Sequence, residues 1–158
     1  MKTLAIIFIT TLFINCSNKP RNFDGIGEIK LGANINSLSF SKSLKKTNEN
    51  EYKIDSFQIS NKIGPVKNLI LKTENEEIYD VSFESTEKTN NIAIDSTMKV
   101  FHKHSNIHIA QKKSTPIQIT EESDGDVDFS KITEKNNRKI ITYRYFDIKK
   151  LTNIVDSQ

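Results

Sequence analysis

Residues 64–84 read GPVKNLILKTENEEIYDVSFE, and this stretch decides the fold class. Gly64-Pro65 is a turn signal, and two β-rich arms follow, Val66–Thr73 and Glu77–Glu84, flanking Glu74-Asn75-Glu76. On the second arm Tyr79, Val81 and Phe83 alternate with polar residues, the period of a strand with one face inside. The stretch predicts a β-hairpin. Upstream, Tyr52 and Ile54, then Phe57 and Ile59, alternate in two pairs out of phase by one residue, as a bulge would produce. Gly27-Glu28-Ile29-Lys30-Leu31-Gly32 predicts a short strand with Ile29 and Leu31 on one side, and Asn34–Lys46 a helix with Ile35 and Leu38 inward. Four serines and two asparagines compete for the backbone in that segment.

Downstream, Ile94, Met98 and Phe101 recur at helical spacing, with Asp95 or Ser96 available as N-cap. Strand-like runs follow at Ile107–Gln111, Pro116–Glu121 and Lys139–Phe146. In the last, Ile141, Tyr143 and Tyr145 make one face and Ile140, Thr142 and Arg144 the other. Asp147–Val155 closes as one or two helical turns through Ile148, Leu151 and Val155. Hairpins without long crossovers predict a single α+β domain over residues 23–158, mainly antiparallel sheet with two or three short helices on one face. No internal repeat is evident.

The N-terminus has a different character. Lys2 is followed by Leu4–Ile14 without a charge, a run too short for the roughly 20 apolar residues of a membrane span and suited to the core of an export signal. It ends Leu12-Phe13-Ile14-Asn15-Cys16, then Ser17-Asn18-Lys19-Pro20. This resembles the lipobox of bacterial lipoproteins, with Phe13 where leucine is commonest and Asn15 in the small-residue position. The resemblance implies that residues 1–15 are a signal peptide, a signal helix that is removed, that Cys16 is lipidated, and that residues 16–22 are the tether. It also favours the outer membrane of the cell envelope over the inner, because Ser17 and not Asp follows the cysteine. Cys16 is the only cysteine, so no disulfide forms within one chain.

Removing residues 1–15 from 158 leaves 143, enough for one domain. Cleavage takes only Lys2 from the charge count, leaving 22 Lys+Arg against 20 Asp+Glu. That balance gives no footprint for nucleic acid.

The mature part loosely resembles the small periplasmic domain shared by β-lactamase inhibitor proteins and the lipoprotein subunit of the outer-membrane assembly machinery. The carrying residues are Gly27-x-Ile29-x-Leu31-Gly32 opening onto a helix, and the hairpin after Gly64-Pro65. Here an extra strand-like run lies between them. The resemblance implies a protein-binding scaffold.

Three clusters invite chemistry. His102, His104 and His108 are the only histidines; convergent imidazoles would hold Zn²⁺, Cu²⁺ or Ni²⁺, whereas a helix end near Ser105 would scatter them. Asp124-Gly125-Asp126-Val127-Asp128 opens like a calcium loop but has Phe129 where that loop needs glycine and Lys135 where it needs glutamate, which reads as an acidic turn. Tyr143, Arg144 and Tyr145, with Arg138 nearby, are residue types enriched at protein interfaces, although tyrosines on such a strand also serve as core. Glu76/Glu77 and Glu121/Glu122 are adjacent and point to opposite faces of a strand. No nucleophile motif or phosphate loop occurs. The sequence therefore predicts a non-catalytic envelope lipoprotein without a cofactor, held at the membrane through Cys16 and binding another envelope protein. A metal- or small-ligand-binding envelope protein and an immunity-type inhibitor of a toxin or hydrolase are the alternatives.

Overall fold

The computed structural model describes residues 23–98, 106–112, 115–124, 126–135 and 139–156. The expected signal peptide, Cys16 and the tether lie outside these residues. Among the described residues no helix is long and apolar enough to cross a membrane.

An N-terminal ribbon of β1 (Gly25–Ile26) and β2 (Ile29–Lys30) precedes two 3-10 turns, Ile35–Ser37 and Ser41–Ser43. Then come β3 (Lys45–Asn48), β4 (Glu51–Ser60), β5 (Gly64–Glu74) and β6 (Glu77–Ser85). Helix α1 (Asn91–Met98) leads into β7 (Asn106–Lys112), β8 (Thr115–Asp124), β9 (Val127–Lys135) and β10 (Lys139–Asp147), and α2 (Ile148–Asp156) closes the order. The eight strands from β3 to β10 form one antiparallel sheet in the order β3-β4-β5-β6-β10-β9-β8-β7. Two four-stranded meanders, each preceded by a short helical segment, thus meet along β6 and β10, from Thr142 opposite Glu84 to Phe146 opposite Asp80. Among the described residues the fold is mainly antiparallel sheet with two α-helices, compatible with the α+β class.

The predicted hairpin is β5–β6. Its turn residues Asn75 and Glu76 both have positive φ, 50° and 66°, the pair that a type I′ turn requires. Gly64 begins β5 at φ +91°, where an added Cβ would lie 2.8 Å from the Lys88 carbonyl oxygen. The phase break in β4 is present but is absorbed next door. The β4–β5 register runs unbroken past Ile54 and Phe57. Across from them Asn68 takes φ 50°, and the β5–β6 register shifts between Lys67 and Ile70.

One face of the sheet is covered. Val66, Leu69, Leu71, Val81, Phe83, Phe129, Tyr143 and Tyr145 are buried on it. Phe23 packs edge-on against Phe129 and Tyr145, with ring centroids 4.9 and 5.1 Å away. The N-terminal segment is thereby fixed to this face, and Ile26, Ile29, Leu31 and Ile35 are buried with it. Helix α1 contributes Ala93, Ile94 and Met98. Each fully buried side chain of this size contributes about 1.5–3 kcal/mol of transfer free energy.

Three expectations change. Asn34–Lys46 is not a helix but two 3-10 turns and the start of β3. The Asn34 side chain accepts from Asn36 N at 2.8 Å, and Ser37 Oγ donates to the Asn34 carbonyl at 2.7 Å, the competition that keeps such residues out of helices. The cap of α1 is Asn90, whose Oδ1 accepts from Ala93 N at 3.1 Å, and not Asp95 or Ser96. In α2, Val155 is 65% exposed, so the expected apolar stripe is only partly used. That helix is held by its polar side: Lys150 pairs with Glu77 at 2.5 Å and Lys149 with Asp126 at 2.9 Å.

Candidate functional site

The strand carrying Tyr143, Arg144 and Tyr145 runs through the middle of the sheet, so successive residues lie on opposite faces. Tyr143 and Tyr145 fall on the covered side and are fully buried, which removes both from any surface a partner would meet. The Tyr145 hydroxyl donates to the Ile29 carbonyl at 2.7 Å, stapling β2 to the sheet. The Tyr143 hydroxyl donates to Asn91 Oδ1 at 3.2 Å, at the start of α1. Burial raises the pKa of both phenols, and the negative charge of Asp95 adds to the effect at Tyr143.

Arg144 lies on the other face. Its Nε and Nη2 donate to the two carboxylate oxygens of Asp80 at 2.9 and 2.7 Å, a fork-on-fork geometry. The guanidinium carbon sits 4.5 Å from the centroid of the Phe146 ring. Lys72 Nζ approaches the same carboxylate at 3.7 Å. The side chain of Asp80 is 4% exposed and that of Arg144 37%, so the carboxylate is sunk into the sheet while one edge of the guanidinium stays reachable. The bond to Asp80 raises the Arg144 pKa further, against the opposing effect of burial, so this charge is permanent. Tyr79 is the extra residue where the β5–β6 register shifts between Lys72 and Thr73. Burial, then the charge of Asp80, raises its phenol pKa.

Register places Lys53, Ile70, Ser82, Arg144 and Ser130 in one row across this face. A second row carries Lys72, Asp80, Phe146 and Asp128. Toward β8 the face becomes apolar, with Ile132 opposite Ile119 and both half-buried. An Arg–aromatic pair held by a carboxylate, beside isoleucines and ion-paired lysines, suits recognition of another protein surface. Because the guanidinium is already oriented, little side-chain entropy remains to be lost on binding.

A second polar group lies on the covered face. Lys131 Nζ pairs with Asp95 at 2.6 Å and sits 5.4 Å from the Tyr143 ring centroid, between β9 and α1. It joins a helix to the sheet.

His102, His104 and Arg138 lie outside the described residues, and His108 is in β7 with Ile119 as its register partner. Among the described residues no three metal-ligating side chains converge. The acidic stretch at 124–128 is the β8–β9 connection, with Asp124 opposite Val127. Asp126 pairs with Lys149 and Asp128 accepts from Ser123, so these carboxylates are engaged separately. Glu76 and Glu77 contact Asn34 and Lys150 respectively.

Sequence reasoning singled out Arg144 but not Asp80, Lys72 or Phe146. Their juxtaposition depends on β6 lying beside β10, which no local pattern encodes. The fold and the site define a class, a small domain of mainly antiparallel sheet in which the described residues cover one sheet face and leave the other open. The chain matches no protein-family model, no curated protein and no solved structure.

Proposed function

We propose that this protein is a non-catalytic envelope lipoprotein that binds another protein through the open face of its sheet. In this reading residues 1–15 direct export and are removed, Cys16 carries the lipid, and Ser17 favours the outer membrane. The observation that carries the binding role is Arg144, locked by Asp80 and stacked on Phe146 on a face with no buried hydrophobic layer over it among the described residues. The tether joins the domain at Phe23, which packs on the covered face, so the anchor does not compete with the open one. Residues 16–22 reach on the order of 20 Å, which keeps the domain near the membrane surface. An immunity-type inhibitor would use the same face, and the identity of the captured protein distinguishes the two.

Photo-crosslinking in living cells tests this reading. A crosslinker at Ser82 or Thr142, flanking Arg144 on the open face, is expected to give one discrete adduct. The same group at Ser96, exposed on α1, is expected to give none, and Arg144→Glu is expected to abolish the open-face adduct. Absence of any adduct at Ser82 and Thr142 would sink the binding role. For the anchor, fatty-acid labelling of the wild type and not of Cys16→Ala is expected, and an unlabelled, water-soluble wild type would overturn it.

A further inference from the structure

The two edges of the sheet are unlike. Edge strand β3 has four residues, all exposed, begins Lys45-Lys46, and loses its register between Lys46 and Asn48. Short length, lysines and irregularity are how an edge is made unable to accept another strand. Edge strand β7, Asn106-Ile107-His108-Ile109-Ala110-Gln111-Lys112, is neither short nor irregular, and its one lysine stands at its end. Its ladder with β8 runs from Asn106 opposite Glu121 to Lys112 opposite Thr115 without a shift. It contains no proline, carries one charge, at its end, and has no strand on its outer side among the described residues.

We propose that β7 pairs antiparallel with β7 of a second copy, centred on Ile109, so that the two sheets become one. The sequence is self-complementary in that register. Ile109 stands opposite Ile109, Ile107 opposite Gln111 and His108 opposite Ala110. Each Lys112 comes opposite Asn106 of the other copy, whose neighbour on β8 is Glu121. No like charges face each other across the new ladder. The row through Ile132, Ile119 and His108 continues into Ala110 and Ile117 of the second copy. An antiparallel pairing of identical strands is a closed two-fold contact. With the β3 edge blocked, assembly stops at two copies. This proposal is independent of what binds the open face.

The test is sedimentation equilibrium of the full chain in detergent micelles, combined with cysteine scanning of β7 in the Cys16→Ser chain. A dimer is expected. Single cysteines at 107, 109 and 111 should form intermolecular disulfides with a sharp maximum at 109, where the partners stand about 5 Å apart. At 107 or 111 they stand about 14 Å from their own mates and should yield about tenfold less. Ile109→Lys and Ile109→Glu should each weaken the dimer about tenfold, and mixing the two should restore it. A wild type that stays monomeric overturns the proposal and leaves the edge to a strand from another protein. A crosslinking maximum away from 109 overturns it as well.

Discussion

Arg144 is the residue on which the open face turns, because it serves two masters, the carboxylate below and the aromatic ring beside it. Removing it leaves Asp80 sunk in the sheet with only Lys72 at 3.7 Å. Orphaning a buried charge costs about 3–5 kcal/mol, and the partly exposed guanidinium reduces that to about 2–3 here. Arg144→Ala is therefore expected to lower stability by that amount in urea denaturation. The double variant Asp80→Ala/Arg144→Ala should recover most of the loss, since no charge is then stranded. A double variant as unstable as the sum of the single ones would show that the pair does not interact as the geometry requires. Lys131 teaches the same lesson from the covered face: a lysine at an inward position is acceptable once Asp95 stands against it. That inward lysine is also why β9 escaped sequence reasoning. Val127, Phe129 and Lys131 are the inward series, and its apolar alternation stops after two residues.

At the scale of the element, the β5–β6 hairpin was the most legible part of the chain, since its second arm alternates cleanly and a short polar connection separates the two arms. The turn still carries one unfavourable choice. Glu76 holds φ 66°, a conformation that costs a side-chain-bearing residue about 1–2 kcal/mol. Glu76→Gly relieves this and gives up only an exposed 3.3 Å bond from Asn34. The net expectation is a gain of about 0.5–1 kcal/mol after the entropy of glycine is subtracted, read as a higher urea midpoint. A lower midpoint would show that the carboxylate contact matters more than the backbone. The hairpin also anchors the N-terminal segment through main-chain atoms, Ile35 N to the Glu76 carbonyl at 2.8 Å, which glycine preserves. The segment after Gly32 was less legible because its asparagine and serine bond the backbone locally, and local bonding of that kind makes turns.

For the whole molecule, the seam between β6 and β10 is the structural decision, and two phenols report on it. Tyr143 and Tyr145 are buried beside that seam with pKa values raised above 10, the ordinary value, which the unfolded chain regains. Below pH 10 both states hold these protons and stability does not depend on them. Above pH 10 the unfolded chain releases them while the native protein does not, so stability falls as pH rises. Two phenols give a slope of about 3 kcal/mol per pH unit, with Tyr79 acting in the same direction. Urea denaturation between pH 9 and 11 is expected to show this decline, with tyrosinate absorbance from these phenols appearing only as structure is lost. Their ionisation near pH 10 in a chain that keeps its circular dichroism would contradict the burial.

By itself the sequence determined the strands whose residues alternate without exception, the hairpin connection within Glu74-Asn75-Glu76, the helical spacing of Ile94 and Met98, and the lipobox-like start that motivates the proposed anchor. Those signals are local, set by side-chain direction and backbone sterics within a few residues. Tertiary structure alone decided that two meanders join through β6 and β10, that Tyr143 and Tyr145 turn inward while Arg144 meets Asp80 outside, and that Lys131 can face the core. The reason is that strand neighbours are chosen by the summed burial of whole faces and by charge partners far apart in the chain, and neither quantity exists until the sheet is assembled.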